Sequence, residues 1–180
     1  GGRAKLFSGT EENSSGLTAL ADETRSGFDE VSPPNDLADN NTYAIYRVAI
    51  GAGDLTIVAS GGDAENSTWS FDSGTRILTT ISSPVNVNAS VVEGYLANGN
   101  LTIEAANITV NADVTSTTAY ALNLETTKTI TVKASKTISS NGGDVSLISN
   151  KALTSGGGVL LEPSAGISTN GGNINIGTNS

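Results

Sequence analysis

A repeated spacing of apolar residues in the last third of the chain constrains the fold more than any other feature. Four anchor positions recur at separations of 15, 14 and 15 residues: Ile130, Val145, Val159 and Ile174. Each anchor has a second apolar residue two positions on, which is the spacing of one face of a β-strand. Isolated pairs of strands this short cannot bury their apolar side chains, so we expect the units to stack into one continuous core.

Glycine-rich turns separate the copies of this motif, at 141–143, 156–158 and 170–172. Glycine is suited to these places because it adopts the positive φ angles of tight turns at little cost. A further apolar residue follows eight positions after the first three anchors: Ile138, Leu153 and Ile167. The spacing leaves open whether one coil of the fold contains one motif or two.

Upstream, the same pattern recurs less regularly. Residues 53–57 and 99–103 each combine a glycine turn with alternating apolar residues, whereas 64–92 and 114–124 depart from the pattern and indicate inserted loops or strands. The sequence therefore predicts an all-β fold, a parallel, right-handed β-helix or β-solenoid. We expect it to span 51–180, irregular to about 128 and regular from 129. A β-sandwich with evenly spaced strands is the alternative.

Residues 1–50 have a different character. Residues 1–41 contain eight acidic side chains and the Pro33-Pro34 pair. We expect a loop-rich segment packed on the solenoid, with short strands at 5–7 and 43–48 and one helical turn at 16–22. A partly ordered linker is the alternative interpretation.

Both ends of the chain carry motifs of one kind of bacterial protein. The runs GRAKLFSG (2–9), GLTAL (16–20) and YAIYR (43–47) resemble a segment of very large filamentous-haemagglutinin-type adhesins of Gram-negative bacteria. The turns GNLTI (99–103) and GGDVSL (142–147) are similar to the β-helix shafts of the same adhesins, many of which carry mostly-bacterial Greek-key repeats. The resemblance implies a secreted or cell-surface fibre with roles in attachment, aggregation or biofilm formation.

Composition excludes several other functions. The chain has no His and no Cys, so the usual general base at neutral pH, the thiol nucleophile and the common zinc ligands are missing. We therefore predict a protein that is not an enzyme and has no catalytic residues. A net charge of -9 disfavours nucleic acid and anionic membranes, and no apolar run is long enough to insert into a bilayer. The alternative function is a β-helix module that binds or degrades polysaccharide.

Two candidate sites remain. Asp63, Glu65 and Asn66 carry the oxygen ligands that calcium prefers, although a plain turn explains the same residues. Calcium is the one cofactor that the sequence suggests. The exposed faces of aromatic rings can bind sugars, which makes a carbohydrate site of Trp69, Tyr95 and Tyr120, unless these rings pack an irregular loop against the core.

Expected partners follow from the repeat. The outermost strands of a solenoid offer unpaired backbone groups, and residues 1–9 and 171–180 both read as broken motifs. We expect other copies or neighbouring repeats of the same protein to stack end to end on these strands. Host or matrix glycans are the second expected class of partner.

Overall fold

The chain divides into two compact units, Gly1–Ala49 and Ile50–Ser180. The computed structural model describes the backbone of three strands in unit 1, and residues 53–150 and 156–178 of unit 2 with their side chains. In unit 1, β1 (Ala4–Ser8), β2 (Glu23–Ser26) and β3 (Thr42–Tyr46) form a parallel sheet in the order β1-β3-β2. Strands β1 and β3 overlap the strands predicted near them. The predicted helical turn lies outside the described residues.

The described part of unit 2 consists of short strands and one helix. In chain order these are β4 (Leu55–Val58), β5 (Trp69–Asp72), β6 (Ile77–Thr80), β7 (Val85–Asn88), α1 (Ala89–Leu96), β8 (Leu101–Ala105), β9 (Ile108–Val110), β10 (Val114–Ser116), β11 (Leu122–Thr126), β12 (Thr129–Val132), β13 (Thr137–Ser140), β14 (Val145–Ser149), β15 (Gly158–Leu161), β16 (Gly166–Thr169) and β17 (Ile174–Thr178).

These strands form three sheets. The first has the order β7-β4-β9-β12-β15, the second β5-β6-β8-β11-β14-β17, and the third β10-β13-β16. Neighbouring strands are parallel except for β5 and β6, which form an antiparallel hairpin. The protein is therefore β-rich with parallel sheets, as predicted at that level. The antiparallel pair and the helix differ from the prediction.

Strand pairing shows how the sequence motif is used. Ile130 pairs with Val159 in the first sheet, and Val145 pairs with Ile174 in the second. Each anchor thus meets the second anchor after it along the chain, and successive anchors belong to different sheets. One full period therefore contains two copies of the motif, which answers the question that the spacing left open.

The core is built from residues that repeat at the same place in successive strands. Along the second sheet Leu78, Ile103, Leu124 and Leu147 are register partners, and all four are 0% exposed. Full burial of a side chain of this size contributes roughly 1.5 to 3 kcal/mol. The alternating positions on the same strands face outward and are mainly Thr, Asn, Ser and Glu. Alternation therefore decides which face of each strand is buried.

The part that the sequence marked as inserted, 64–92, is ordered structure. It contains the β5–β6 hairpin, strand β7 and the start of α1. Helix α1 buries Ala89, Val92 and Leu96, whose spacing of three and four places them on one helix face. The helix packs against β7 and β10. This end of the described unit 2 is therefore covered by side chains from an element that repeats nowhere else in the described residues.

Candidate functional site

Most of the candidate residues come together where the β5–β6 hairpin meets α1. We call Glu65, Trp69, Phe71, Arg76 and Tyr95 the hairpin-helix cluster. The Tyr95 ring stacks on Phe71 with centroids 3.8 Å apart, and meets Trp69 edge-on with centroids 6.5 Å apart. Edge-to-face and offset stacked contacts are the favourable arrangements of aromatic pairs. The cluster joins two elements that are well separated in sequence.

Trp69 belongs to the core. Its side chain is 2% exposed, and its Nε1 donates a hydrogen bond to the backbone oxygen of Asp63 at 3.1 Å. A buried indole usually finds such a partner for its N–H. The ring face of Trp69 is therefore packed against protein rather than presented to a sugar.

Arg76 fixes the cluster at the end of the helix, and sequence reasoning missed it. Its guanidinium lies 5.1 Å from the centroid of Phe71, and its Nη2 donates to the backbone oxygen of Tyr95 in the last turn of α1. A second donation runs from Nε to the backbone oxygen of Asn100 at 3.2 Å. A cation at a helix carboxyl end satisfies carbonyls that lack helical partners. No spacing signal in the sequence links these residues.

Tyr95 is tied to the preceding turn through its hydroxyl, which donates to Glu65 Oε2 at 3.0 Å. Burial raises the pKa of Tyr95 to about 12, and the bond to Glu65 and the negative charge of that carboxylate act in the same direction. The phenol is thus held in its neutral form. It serves as a hydrogen-bond donor within the cluster.

The calcium candidates form a turn beside the cluster. Asp63 Oδ2 accepts the backbone N–H of Asn86 at 2.8 Å, and Glu65 accepts the Tyr95 hydroxyl. Asn66 has a positive φ of 63°, and its backbone N–H donates to the oxygen of Trp69 at 2.7 Å. In the part of the chain that the structure describes, no group of three or more His, Cys, Asp and Glu is placed to hold a metal ion. The carboxylates of Asp63 and Glu65 serve different protein donors.

Tyr120 lies apart from the other aromatic candidates. Its side chain is 43% exposed, and the ring contacts found among the described residues join Trp69, Phe71 and Tyr95 without it. The structure therefore separates the predicted carbohydrate residues into a packed pair and one exposed ring.

A second polar feature runs along the strand starts. We define the strand-start ladder as the residues directly before β8, β9, β10 and β14, which are Asn100, Asn107, Asp113 and Asp144. Each accepts, through its side-chain oxygen, a backbone N–H from the start of the next strand of its sheet or from the residue just before it. The donors are Ala121 at 2.9 Å, Thr129 at 3.1 Å, Thr137 at 2.8 Å and Asn173 at 2.7 Å. Sequence reasoning missed this ladder, although Asn or Asp directly before an alternating apolar run is a readable signal.

Several carboxylates of unit 2 have lowered pKa values. Hydrogen bonds from the backbone and side chain of Thr137 lower the pKa of Asp113. The Lys133 ammonium, 2.6 Å from Glu162, and the backbone N–H of Ala134 lower the pKa of Glu162. A general acid at neutral pH needs a raised pKa instead. These two groups are suited to accepting hydrogen bonds between strands.

Comparisons with known proteins find no protein similar to this chain. A scan of family models, a search of curated proteins and a search of solved structures each return no match to this chain. Among the described residues, the one helix is far too short to span a bilayer, and no membrane-crossing helix is found.

Proposed function

We propose that unit 2 is a right-handed parallel β-helix, or β-solenoid, and that it serves as a structural and adhesive segment of a secreted bacterial surface fibre. The observation that carries the proposal is the register. From Leu101 onward the chain returns to each sheet parallel to its previous pass, with inward apolar residues aligned. Stacking of this kind is the behaviour of repeat proteins whose units contact mainly their neighbours.

The polar groups support a structural role. Strand-start ladder residues such as Asp113 and Asp144 connect one coil to the next, and Glu162 binds Lys133 across the same kind of step. Bonds of this kind are parallel to the stacking direction, so they resist separation of the coils together with the backbone ladders. These hydrogen bonds and this ion pair give the side chains a structural role. The proposed protein has no catalytic residues.

Adhesion and location rest on the resemblance to filamentous-haemagglutinin-type adhesins. This resemblance implies a location at the surface of a Gram-negative bacterium and a role in attachment, aggregation or biofilm formation. We propose host or matrix glycans as the partners. The outward row of the second sheet, which includes Thr102, Asn123 and Ser146, offers hydroxyl and amide groups at the regular strand spacing. This row is the surface that we propose to meet such glycans.

The experiment displays the whole chain on a non-adherent Gram-negative strain and measures cell settling, surface attachment and binding to a glycan array. We expect increased attachment relative to cells that display Leu147→Asp, in which a charge replaces a fully buried side chain. A triple variant with Ala at Thr102, Asn123 and Ser146 tests the outward row in a folded chain. Equal attachment by all strains would contradict the adhesive role.

The polysaccharide-degrading alternative has one residue pair in its favour. Glu104 and Glu125 are register partners on adjacent strands of the second sheet and face outward. Paired carboxylates are the usual machinery of glycosidases. The purified chain should leave neutral and acidic polysaccharides at their original length. Depolymerisation that disappears in both Glu104→Gln and Glu125→Gln would replace the structural proposal with an enzymatic one.

A further inference from the structure

One exposed aromatic residue interrupts a column of glycines at the turns before the second sheet. Strands β8, β11, β14 and β17 are register neighbours, and the residues two positions before them are Gly99, Tyr120, Gly143 and Gly172. Tyr120 is the member of this column that carries a side chain, and it is 43% exposed. Because its neighbours in the column are glycines, no side chain of the column covers the ring. The ring is therefore open to a partner from outside the chain.

Packing of these turns explains the glycines but not the tyrosine. A Cβ added at Gly143 would lie 2.0 Å from the backbone oxygen of Tyr120, and one added at Gly99 would lie 3.0 Å from Arg76 Nε. The aromatic ring contacts found among the described residues do not include Tyr120. Its phenol oxygen makes no hydrogen bond within the same part of the chain. Neither ring packing nor a hydrogen bond in the described structure accounts for a tyrosine at this position.

The backbone that carries Tyr120 is held from both sides. The N–H of Ala121 donates to Asn100 Oδ1 at 2.9 Å on one neighbouring turn. The N–H of Leu122 donates to the backbone oxygen of Asp144 at 2.9 Å on the other. A ring on a fixed backbone has little freedom left to lose when a ligand binds, which is the advantage of preorganisation. The turn is therefore suited to presenting the ring to a ligand.

Hydrogen-bonding groups follow a short distance along the same strand. Asn123 belongs to the outward row of the second sheet, and its Nδ2 donates to Thr102 Oγ1 at 3.3 Å. Its Oδ1 accepts no hydrogen bond from the described residues, so this oxygen can meet an external donor. Three residues of extended chain separate Tyr120 from Asn123 by at most about 10 Å. An aromatic face and an amide at this separation suit a short chain of sugars, since aromatic rings contact apolar faces and amides meet hydroxyl groups.

The charges near this turn favour a neutral sugar. Asp144 lies on one neighbouring turn, and the whole chain carries a net charge of -9, which disfavours uronic acids, sialic acids and sulfated sugars. On the other neighbouring turn, Arg76 donates to the backbone oxygens of Gly99 at 3.4 Å and Asn100 at 3.2 Å. Those donors serve protein carbonyls rather than an acidic sugar. A neutral pyranose therefore suits the surroundings of Tyr120 better than an acidic one.

We propose that Tyr120 and Asn123 form a binding subsite for neutral pyranose chains. Tyr120 stacks on the apolar face of one sugar, and Asn123 hydrogen-bonds to a hydroxyl group of a neighbouring sugar. The inference rests on the proposed function, because it gives the glycan contact proposed there a sugar class and an aromatic anchor. Hydrogen bonds to sugar replace hydrogen bonds to water with a small net gain, whereas a buried aromatic ring dominates many binding surfaces. The ring is therefore the part of the subsite on which affinity depends most.

Binding to the full chain is measured by isothermal titration calorimetry and saturation-transfer NMR. The neutral probes are cellohexaose, laminarihexaose and maltohexaose, and the acidic probe is an oligogalacturonate. We expect at least one neutral probe to bind and the acidic probe not to bind. Tyr120→Ala should weaken that binding about tenfold, the loss expected for one aromatic stacking contact. Tyr120→Phe should retain the binding because it keeps the ring.

Two further variants complete the test. Asn123→Ala should also weaken binding, whereas Ile81→Ala, which truncates a side chain that is 53% exposed, should bind as the unmodified chain does. Circular dichroism checks that each variant keeps its fold. Full binding by folded Tyr120→Ala or Asn123→Ala, or no binding of any neutral probe, would overturn the subsite. Attachment of cells that display Tyr120→Ala, with loss of attachment in the triple variant of the outward row, would contradict the subsite and leave the proposed function intact.

Discussion

Leu147 and Ile176 are register partners on β14 and β17, yet Leu147 is 0% exposed and Ile176 is 47% exposed. The two residues occupy the same position on neighbouring parallel strands of one sheet. Among the described residues, β17 covers Leu147, and Ile176 belongs to the last strand of its sheet. Burial at this position is therefore a property of stacking and not of the strand itself.

This pair gives a direct measure of what stacking contributes. Leu147→Ala should lower the free energy of unfolding by about 2 to 5 kcal/mol, because it leaves a cavity in a packed core. Ile176→Ala should lower it by less than about 1 kcal/mol, because the side chain is half exposed and leaves no closed cavity. Urea denaturation of the two variants compares them. Similar losses for both variants would contradict the layered core.

Two glycines, one at a turn before a strand and one within α1, predict opposite effects of substitution by alanine. A Cβ added at Gly143 would clash with the backbone oxygen of Tyr120, so Gly143→Ala must push these two neighbouring backbone segments apart. We expect a loss of about 1 to 3 kcal/mol, as for an overpacked core. Gly94 lies exposed within α1 with nothing within 4 Å of an added Cβ, so Gly94→Ala should stabilise by about 0.5 to 1 kcal/mol. Thermal unfolding of both variants measures the two signs.

The strand-start ladder predicts a cost for removing one relay. Asn107 connects Asp54 to the backbone of Thr129, and Asn107→Ala leaves both groups without this partner. The free energy of unfolding should fall by about 1 to 2 kcal/mol. Asn111→Ala is the control, since Asn111 is exposed and its side chain makes no hydrogen bond within the described residues. Equal losses of the free energy of unfolding in Asn107→Ala and Asn111→Ala would contradict a stabilising role of the strand-start ladder.

Tyr95 predicts a loss of stability in alkali. Burial raises the pKa of its phenol from 10.0 to about 12, so the unfolded chain ionises first as the pH rises. The contribution of the neutral phenol is complete below pH 10 and disappears between about pH 10 and 12. Tyr95→Phe should remove this fall from the pH profile of the free energy of unfolding, whereas Tyr120→Phe should retain it. An unchanged profile in Tyr95→Phe would be the contrary result.

The regularly spaced parallel strands were predictable because their signal is local. Alternation around Ile130 and Val145 fixes which side chains face inward, and glycine pairs such as the one at Gly143 mark the turns. The motif did not predict that each anchor pairs with the second anchor after it. Successive copies of the motif have nearly the same pattern of apolar residues, and they differ in the sheet to which each belongs. The sequence pattern predicted the β-rich class with parallel sheets. It did not predict which strands are neighbours in each sheet.

The hairpin-helix cluster was not predictable in the same way. Helix α1 contains two adjacent valines and Gly94, which are poor helix formers, so its propensity argues against a helix. Burial of Ala89 and Val92 against the sheet overrides that propensity. The sequence from Asp72 to Gly74 did contain a turn signal, because Asp and Gly are common turn residues. In the structure, the Asp72 carboxylate accepts the backbone N–H of Gly74 at 2.7 Å. Candidate residues such as Trp69 were found by type, but their contacts depend on this tertiary arrangement.

The position of β4 between β7 and β9 has a consequence for the order of folding. Leu55 pairs with Val85 and, much further along the chain, with Ile108, whereas Leu101 meets Leu122 across a far shorter loop. Closing a longer loop costs more entropy, and distant contacts form more slowly. In a polypeptide synthesised from its amino end, β4 therefore has at most one of its two neighbours, β7, until β9 has been made. The strands that follow β9 pair across shorter stretches of chain, so β4 is the described strand of unit 2 that waits through the longest stretch of synthesis for its full set of backbone partners.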